Sequence, residues 1–292
     1  MIMKKFLILL MSLIITGGTS FASPSSFVGC AAPYDLSSGI GRTLANATGS
    51  NLIAQQVAQS LIKRQLKKES GEKFKVKVSS YSMADLKAGR FKSLDISGEN
   101  LDLDGVFVSY LDFKTLCDFN YIVFDKNTNS MFFKEAFPMS YSIVMNENDL
   151  NKTMNSSGYA KLIRDVNGLG SALNLFKIND THVKIHNNQF FYVFDYSLPF
   201  LGGHYNMIVE ADLKVIDGNI EFKNTKIASK NFSIDISSLS KVLNYLNPLE
   251  FSLNILENNN TTMSVRNITL ANNAINVNGT LIVDKNTVKE QK

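Results

Sequence analysis

The chain has 292 residues, with 30 lysines and arginines against 26 aspartates and glutamates, and a formal charge of +4. Lys4 and Lys5 belong to an N-terminal export segment, so removing them takes +4 to +2. That is too mild and too scattered to form a nucleic-acid groove, and no nucleic-acid partner is expected.

Lys4 and Lys5 precede an apolar run of eleven, Phe6–Thr16, and small residues stand two apart at Ser20 and Ala22, just before Ser23. This order reads as a secretory signal peptide over 1–22. The run would need nearly twice its length to cross a bilayer as a helix. The expected localisation is therefore outside the cytoplasm, in the periplasm or cell envelope, among lipids, wall polymers and envelope proteins.

Residues 23–42 are rich in Ser, Gly, Ala and Pro and read as an exposed leader. Cys30 and Cys117 both lie beyond the signal. They form a candidate disulfide in an oxidising compartment, with free thiols as the alternative. Phe27-Val28-Gly29-Cys30 also loosely resembles a lipoprotein acylation site, although that site should directly follow the apolar run. If paired, the cysteines tie the leader to the body, and their loss is expected to shift stability only modestly.

From Asn46 to Glu69, Leu52, Ile53, Val57, Leu61, Ile62 and Leu66 recur at helical spacing, and Gly71 stands where a helix would end. This predicts one long amphipathic helix. Lys63, Arg64, Lys67 and Lys68 cluster at its end, as a solvated, dipole-matched terminus or an anionic-lipid contact. Beyond Gly71 the period changes to two: Phe74/Val76/Val78, Leu101/Leu103, Val209/Ala211/Leu213/Val215 and Ile275/Val277/Leu281/Val283. Turn signals at Ser97-Gly98, Asp104-Gly105, 126–129, Gly202-Gly203 and Asp217-Gly218 favour antiparallel meanders. Two helical stretches interrupt them. One runs from Glu147 towards Leu173 with a break at Ser156–Gly158, and the other spans Ser237–Leu246 and stops before Pro248. No linker divides 43–284, so one α+β domain is expected there, with 285–292 a disordered tail.

Catalytic signals are few, and the chain reads as a non-enzyme. His182 and His186 are four apart, but Thr181-His-Val-Lys-Ile-His alternates like a strand, whereas a zinc pair at that spacing belongs on a helix. His204 has no metal-ligating company, and neither a metal nor a cofactor is expected. No serine occupies a nucleophile elbow. Asp102 and Asp104 read as solvated strand residues.

The unusual chemistry is apolar. Over Gln189–Leu201, Phe190, Tyr192, Phe194, Tyr196, Leu198 and Phe200 line one period-two face, and Phe191, Val193 and Leu201 the other. A strand greasy on both sides must be covered twice, by core on one side and by another layer, a partner or an acyl chain on the other. Val106–Val108 and Met131–Phe133 repeat the doubling. The longer aromatic series, Phe190, Tyr192, Phe194 and Phe200, is expected to face the lipid.

Val76–Leu116 carries Leu86, Gly89, Phe91, Leu94, Ile96, Gly98, Leu101 and Gly105 in an order that resembles the hallmark stretch of the LmeA family of bacterial phospholipid-binding envelope proteins. The likeness continues at Asn148–Asn151, at Asn247-Pro248 followed by strands, and at Ile275–Leu281. It implies a large curved, mostly antiparallel sheet wrapped around the long helix, with an apolar groove and no catalytic residues. The expected partner is phospholipid or another amphiphile, with a membrane surface as a second, and the residues do not identify a protein partner. The alternative is a structural or chaperone-like envelope protein binding a protein segment; an unrecognised hydrolase acting on polar lipids is a third reading.

Overall fold

The computed structural model describes residues 29–30, 32–39, 50–125, 130–133, 135–172, 176–198, 203–227, 242–257 and 261–283. The signal segment, the tail, the 126–129 turn, Phe200 and Leu201 lie outside the described residues. In chain order the elements are α1 (Ser50–Ser70), β1 (Phe74–Ser79), α2 (Met83–Lys87), β2 (Arg90–Phe91), β3 (Ser93–Leu103), β4 (Val106–Thr115), β5 (Asn120–Asp125), β6 (Ser130–Phe133), β7 (Phe137–Asn146), α3 (Glu147–Met154), α4 (Ser157–Ala172), β8 (Lys177–His186), β9 (Gln189–Ser197), β10 (Tyr205–Ile216), β11 (Asn219–Ile227), α5 (Pro248–Leu256), β12 (Thr261–Ala271) and β13 (Ala274–Val283).

The fold is α+β and mostly antiparallel. A six-stranded sheet has the order β1-β3-β4-β7-β13-β12, a four-stranded sheet the order β11-β10-β9-β8, and a small sheet joins β2, β5 and β6. Tight turns set the registers. Asp104-Gly105, Asn187-Asn188, Asp217-Gly218 and Asn272-Asn273 each place two consecutive residues at positive φ, the geometry of two-residue hairpins that follow strand twist. One apolar core runs between the two larger sheets, from Ile62 and Leu66 of α1 through Met139 and Ile143 to Tyr192, Phe222 and Val277.

Sheet edges are closed by side chains on the helices. On β8, Asn151 brackets the Val183 backbone at 2.8 and 3.0 Å, Asn167 brackets Ile178 at 2.7 and 2.8 Å, and Glu147 accepts from Ile185 N–H at 2.8 Å. On β11, Glu250 accepts from Ile220 N–H, and Asn244 from Phe222 N–H. On β1, Gln59 donates to the Val78 carbonyl. Each clamp satisfies a backbone group that would otherwise offer a pairing edge.

Three sequence expectations are corrected. Ser97-Gly98 is not a turn. Gly98 lies inside β3 opposite Leu111, and a Cβ there would come within 2.9 Å of the Leu101 side chain and 3.1 Å of Phe74. Asn247-Pro248 opens a helix first, and the expected strands β12 and β13 come only after it: the Asn247 side chain accepts from Leu249 N–H, and proline fits the first turn. Finally, α1 is not enclosed by the sheet. Ala58, Ile62 and Leu66 face inward against β1, whereas Leu52, Ile53, Val57 and Leu61 are exposed. The apolar positions counted as one face occupy two.

Candidate functional site

Strand β9 lies at the centre of the four-stranded sheet, with Phe190, Tyr192 and Phe194 opposite Ala211, Val209 and Met207 on β10 and Ile185, Val183 and Thr181 on β8. These three aromatic residues are 1%, 0% and 3% exposed. Phe190 stacks on Phe222 at 5.3 Å between centroids, and Tyr192 meets Phe194 at 4.2 Å. The even face thus packs into the interior and lines no open groove in the described structure. On the opposite face Val193 is buried and Phe191 half-buried.

Two phenols bring polarity into this interior. The Tyr159 and Tyr192 hydroxyls hydrogen-bond each other, and Tyr159 donates to the Leu246 carbonyl at 2.6 Å. Burial raises both phenol pKa values, so the pair stays neutral and every hydroxyl keeps a partner. In an apolar core such a network fixes the register of α4 against β9.

A second polar cluster fastens the N-terminal segment. Cys30 and Cys117 form a disulfide, which is compatible with an exported protein. Seven residues on, Ser37 donates from its backbone N–H and its hydroxyl to Asp85, each at 2.7 Å, and Ser82 donates to the same carboxylate at 2.6 Å. Burial works to raise the Asp85 carboxyl, but the hydrogen bonds from Ser82 and Ser37, with the Arg90 guanidinium 3.7 Å away, hold it below the usual aspartate range. The Tyr34 ring lies against Phe119 and Tyr121. The described residues of this segment, 29–30 and 32–39, are therefore held on the body.

The histidines and Asp102 sit in strands or directly beside one. His182 and His186 lie on β8, as the alternation predicts, and His204 meets Asp195 at the surface at 3.0 Å. Asp102 accepts from Gly105 N–H in the hairpin turn. Among the described residues no group of three or more His, Cys, Asp or Glu is arranged to hold a metal ion. No described helix is long and apolar enough to cross a membrane.

Neither a scan against family models nor searches of curated proteins and of solved structures find a match to this chain.

Glu250 shows how far the buried carboxylates are committed to structure. Burial, reinforced by nearby Glu221, raises its pKa against the opposing hydrogen bond from Ile220. A raised carboxyl pKa favours the folded state in acid, and that stability is lost as pH climbs from the ordinary value of 4.5 through the raised one. Glu250→Gln keeps an acceptor for Ile220 and removes the buried charge. Its urea midpoint should equal or exceed the wild type's at neutral pH and fall less between acid and neutral pH. A larger fall than in the wild type would show that the charge itself is needed.

Sequence reasoning did not foresee the outward face of α1 or the helix-borne clamps on the sheet edges. The first was hidden because helical spacing alone does not tell an inward stripe from an outward one. The second left a signal in the asparagines at 151, 167, 244 and 247, all at or near helix positions where asparagine is a poor helix former.

Proposed function

We propose that this chain is an exported cell-envelope protein that binds phospholipid or a similar amphiphile in an apolar groove, without catalysis. The observation that carries the reading is the shared interior: two antiparallel sheets of separate hydrogen-bond order enclose one apolar core, and its central strand presents aromatic rings to it. An acyl chain has the chemistry of that interior. The route for it is the seam where β12 meets the β10–β11 hairpin, tied by a main-chain bond from Val265 N–H to the Gly218 carbonyl. Burying ten or so methylenes contributes about 8 kcal/mol, at about 0.8 kcal/mol each, which offsets a local parting of packed side chains.

The resemblance of Val76–Leu116 to the LmeA family supports the same reading, and the disulfide supports export. A non-catalytic role is supported by the employment of the buried carboxylates: Asp85, Asp149 and Glu250 each accept from backbone N–H or serine hydroxyl groups. Native mass spectrometry of protein taken from its own envelope should reveal bound phospholipid. A protein that carries none, and that after delipidation takes none up from vesicles, would refute the reading.

A further inference from the structure

The outward face of α1 is apolar along half its length and basic along the rest. Ile53, Val57 and Leu61 are 64%, 54% and 44% exposed and stand at i, i+4 and i+8, on one stripe. Arg64 and Lys68 continue that stripe, so it runs about 22 Å at 1.5 Å per residue. Leu52 and Lys63 form its shoulder, with Leu52 59% exposed. Lys63, Arg64, Lys67 and Lys68 are all exposed, and among the described residues none of them forms an ion pair. From Ser50 to Lys68 the helix has no Asp or Glu.

The inward face has its own anchors and leaves the outward one unused. Ala58, Ile62 and Leu66 pack inward, Asn51 bonds Ser80 on both its amide atoms, and Gln55 and Gln59 donate to Ser80 and to the Val78 carbonyl. Solvent therefore receives four large aliphatic side chains that no contact among the described residues requires.

We propose that the outward face of α1 docks this protein onto an anionic phospholipid membrane, with Leu52, Ile53, Val57 and Leu61 entering the headgroup boundary and Lys63, Arg64, Lys67 and Lys68 meeting lipid phosphates. Charge selects this occupant. A helix that lies in an interface needs an apolar stripe and flanking cations. A second copy of α1 would cover the aliphatic residues but bring a single carboxylate, Glu69, to the four cations, whereas an anionic leaflet supplies both halves of the match. This surface is separate from the interior proposed to hold lipid, so docking stands whether or not a lipid is kept inside.

Vesicle flotation tests it, with vesicles of phosphatidylcholine alone and of phosphatidylcholine mixed with phosphatidylglycerol. The purified chain should float with the mixed vesicles, more weakly with the neutral ones, and less in high salt. Changing Lys63, Arg64, Lys67 and Lys68 together to Gln should cut binding to the mixed vesicles roughly tenfold or more. Ile53→Ser with Val57→Ser should cut binding to both kinds roughly tenfold. All these positions are exposed, and unchanged thermal melting would show that both variants fold.

Binding that persists in both variants would mean another segment holds the membrane and would overturn the proposal. So would a wild type that floats equally with both vesicle types, or serine variants that only dissociate a dimer. Lipid found in the purified protein, with no α1-dependent flotation, would overturn the docking face and leave the interior site standing.

Discussion

Phe194→Gln should unfold the protein at denaturant concentrations the wild type tolerates, and not merely empty a ligand site. Phe194 is 3% exposed and lies against the Tyr192 ring. Loss of a buried phenylalanine ring costs about 3–5 kcal/mol, and an unpaired amide left in the core adds about 1–3 kcal/mol. On the other face of the same strand Phe191 is half-buried, and Phe191→Gln should cost no more than about 1 kcal/mol. Urea denaturation of both variants beside the wild type measures the difference. A Phe194→Gln protein with wild-type stability and depleted lipid would instead place the lipid directly on the even face, as the aromatic spacing alone suggests.

Serine at both Cys30 and Cys117 should lower the unfolding free energy by about 4.5 kcal/mol, the value expected when a closed loop approaching a hundred residues is opened. The bond spans a sequence separation of 87, which takes in α1 and β1 through β4. Its loss therefore frees an unfolded chain that was strongly confined, however few contacts the leader itself makes. The modest shift expected from the sequence weighed only the native position of Cys30, ahead of the first periodic segment. Guanidinium titrations of the serine variant and the oxidised protein would decide. A shift under about 1 kcal/mol would mean that the unfolded ensemble is already compact without the bond.

What could be read from the residues depended on whether local chemistry alone decides the structure. Asp104-Gly105 and Asp217-Gly218 were legible as hairpins because aspartate-glycine pairs reach positive φ at little cost. Asn187-Asn188 and Asn272-Asn273 make the same turn without glycine, and in an asparagine-rich chain they did not stand out. The break between α3 and α4 was visible in Ser156–Gly158. The helix at Pro248 was not, because proline both ends and begins helices and only the Asn247 cap shows which. In the candidate site, the aromatic run of β9 was plain. Its inward face was not, since which side of a strand is covered depends on where α4 and α5 fall, and that is a tertiary fact.

The order of the six-stranded sheet has a consequence for the sequence of folding events. β7 ends at Asn146, and its partner β13 begins at Ala274, with the whole four-stranded sheet lying between them along the chain. A chain that folds from its N-terminus therefore holds the β7 edge open until the last hairpin is delivered. Closing over so many residues is slow. Throughout that wait the molecule exposes the kind of edge that recruits strands from other chains. Any truncation before β13 should make that transient state permanent, so Ala274–Val283 decide whether the β7 edge, laid down far earlier, stays covered.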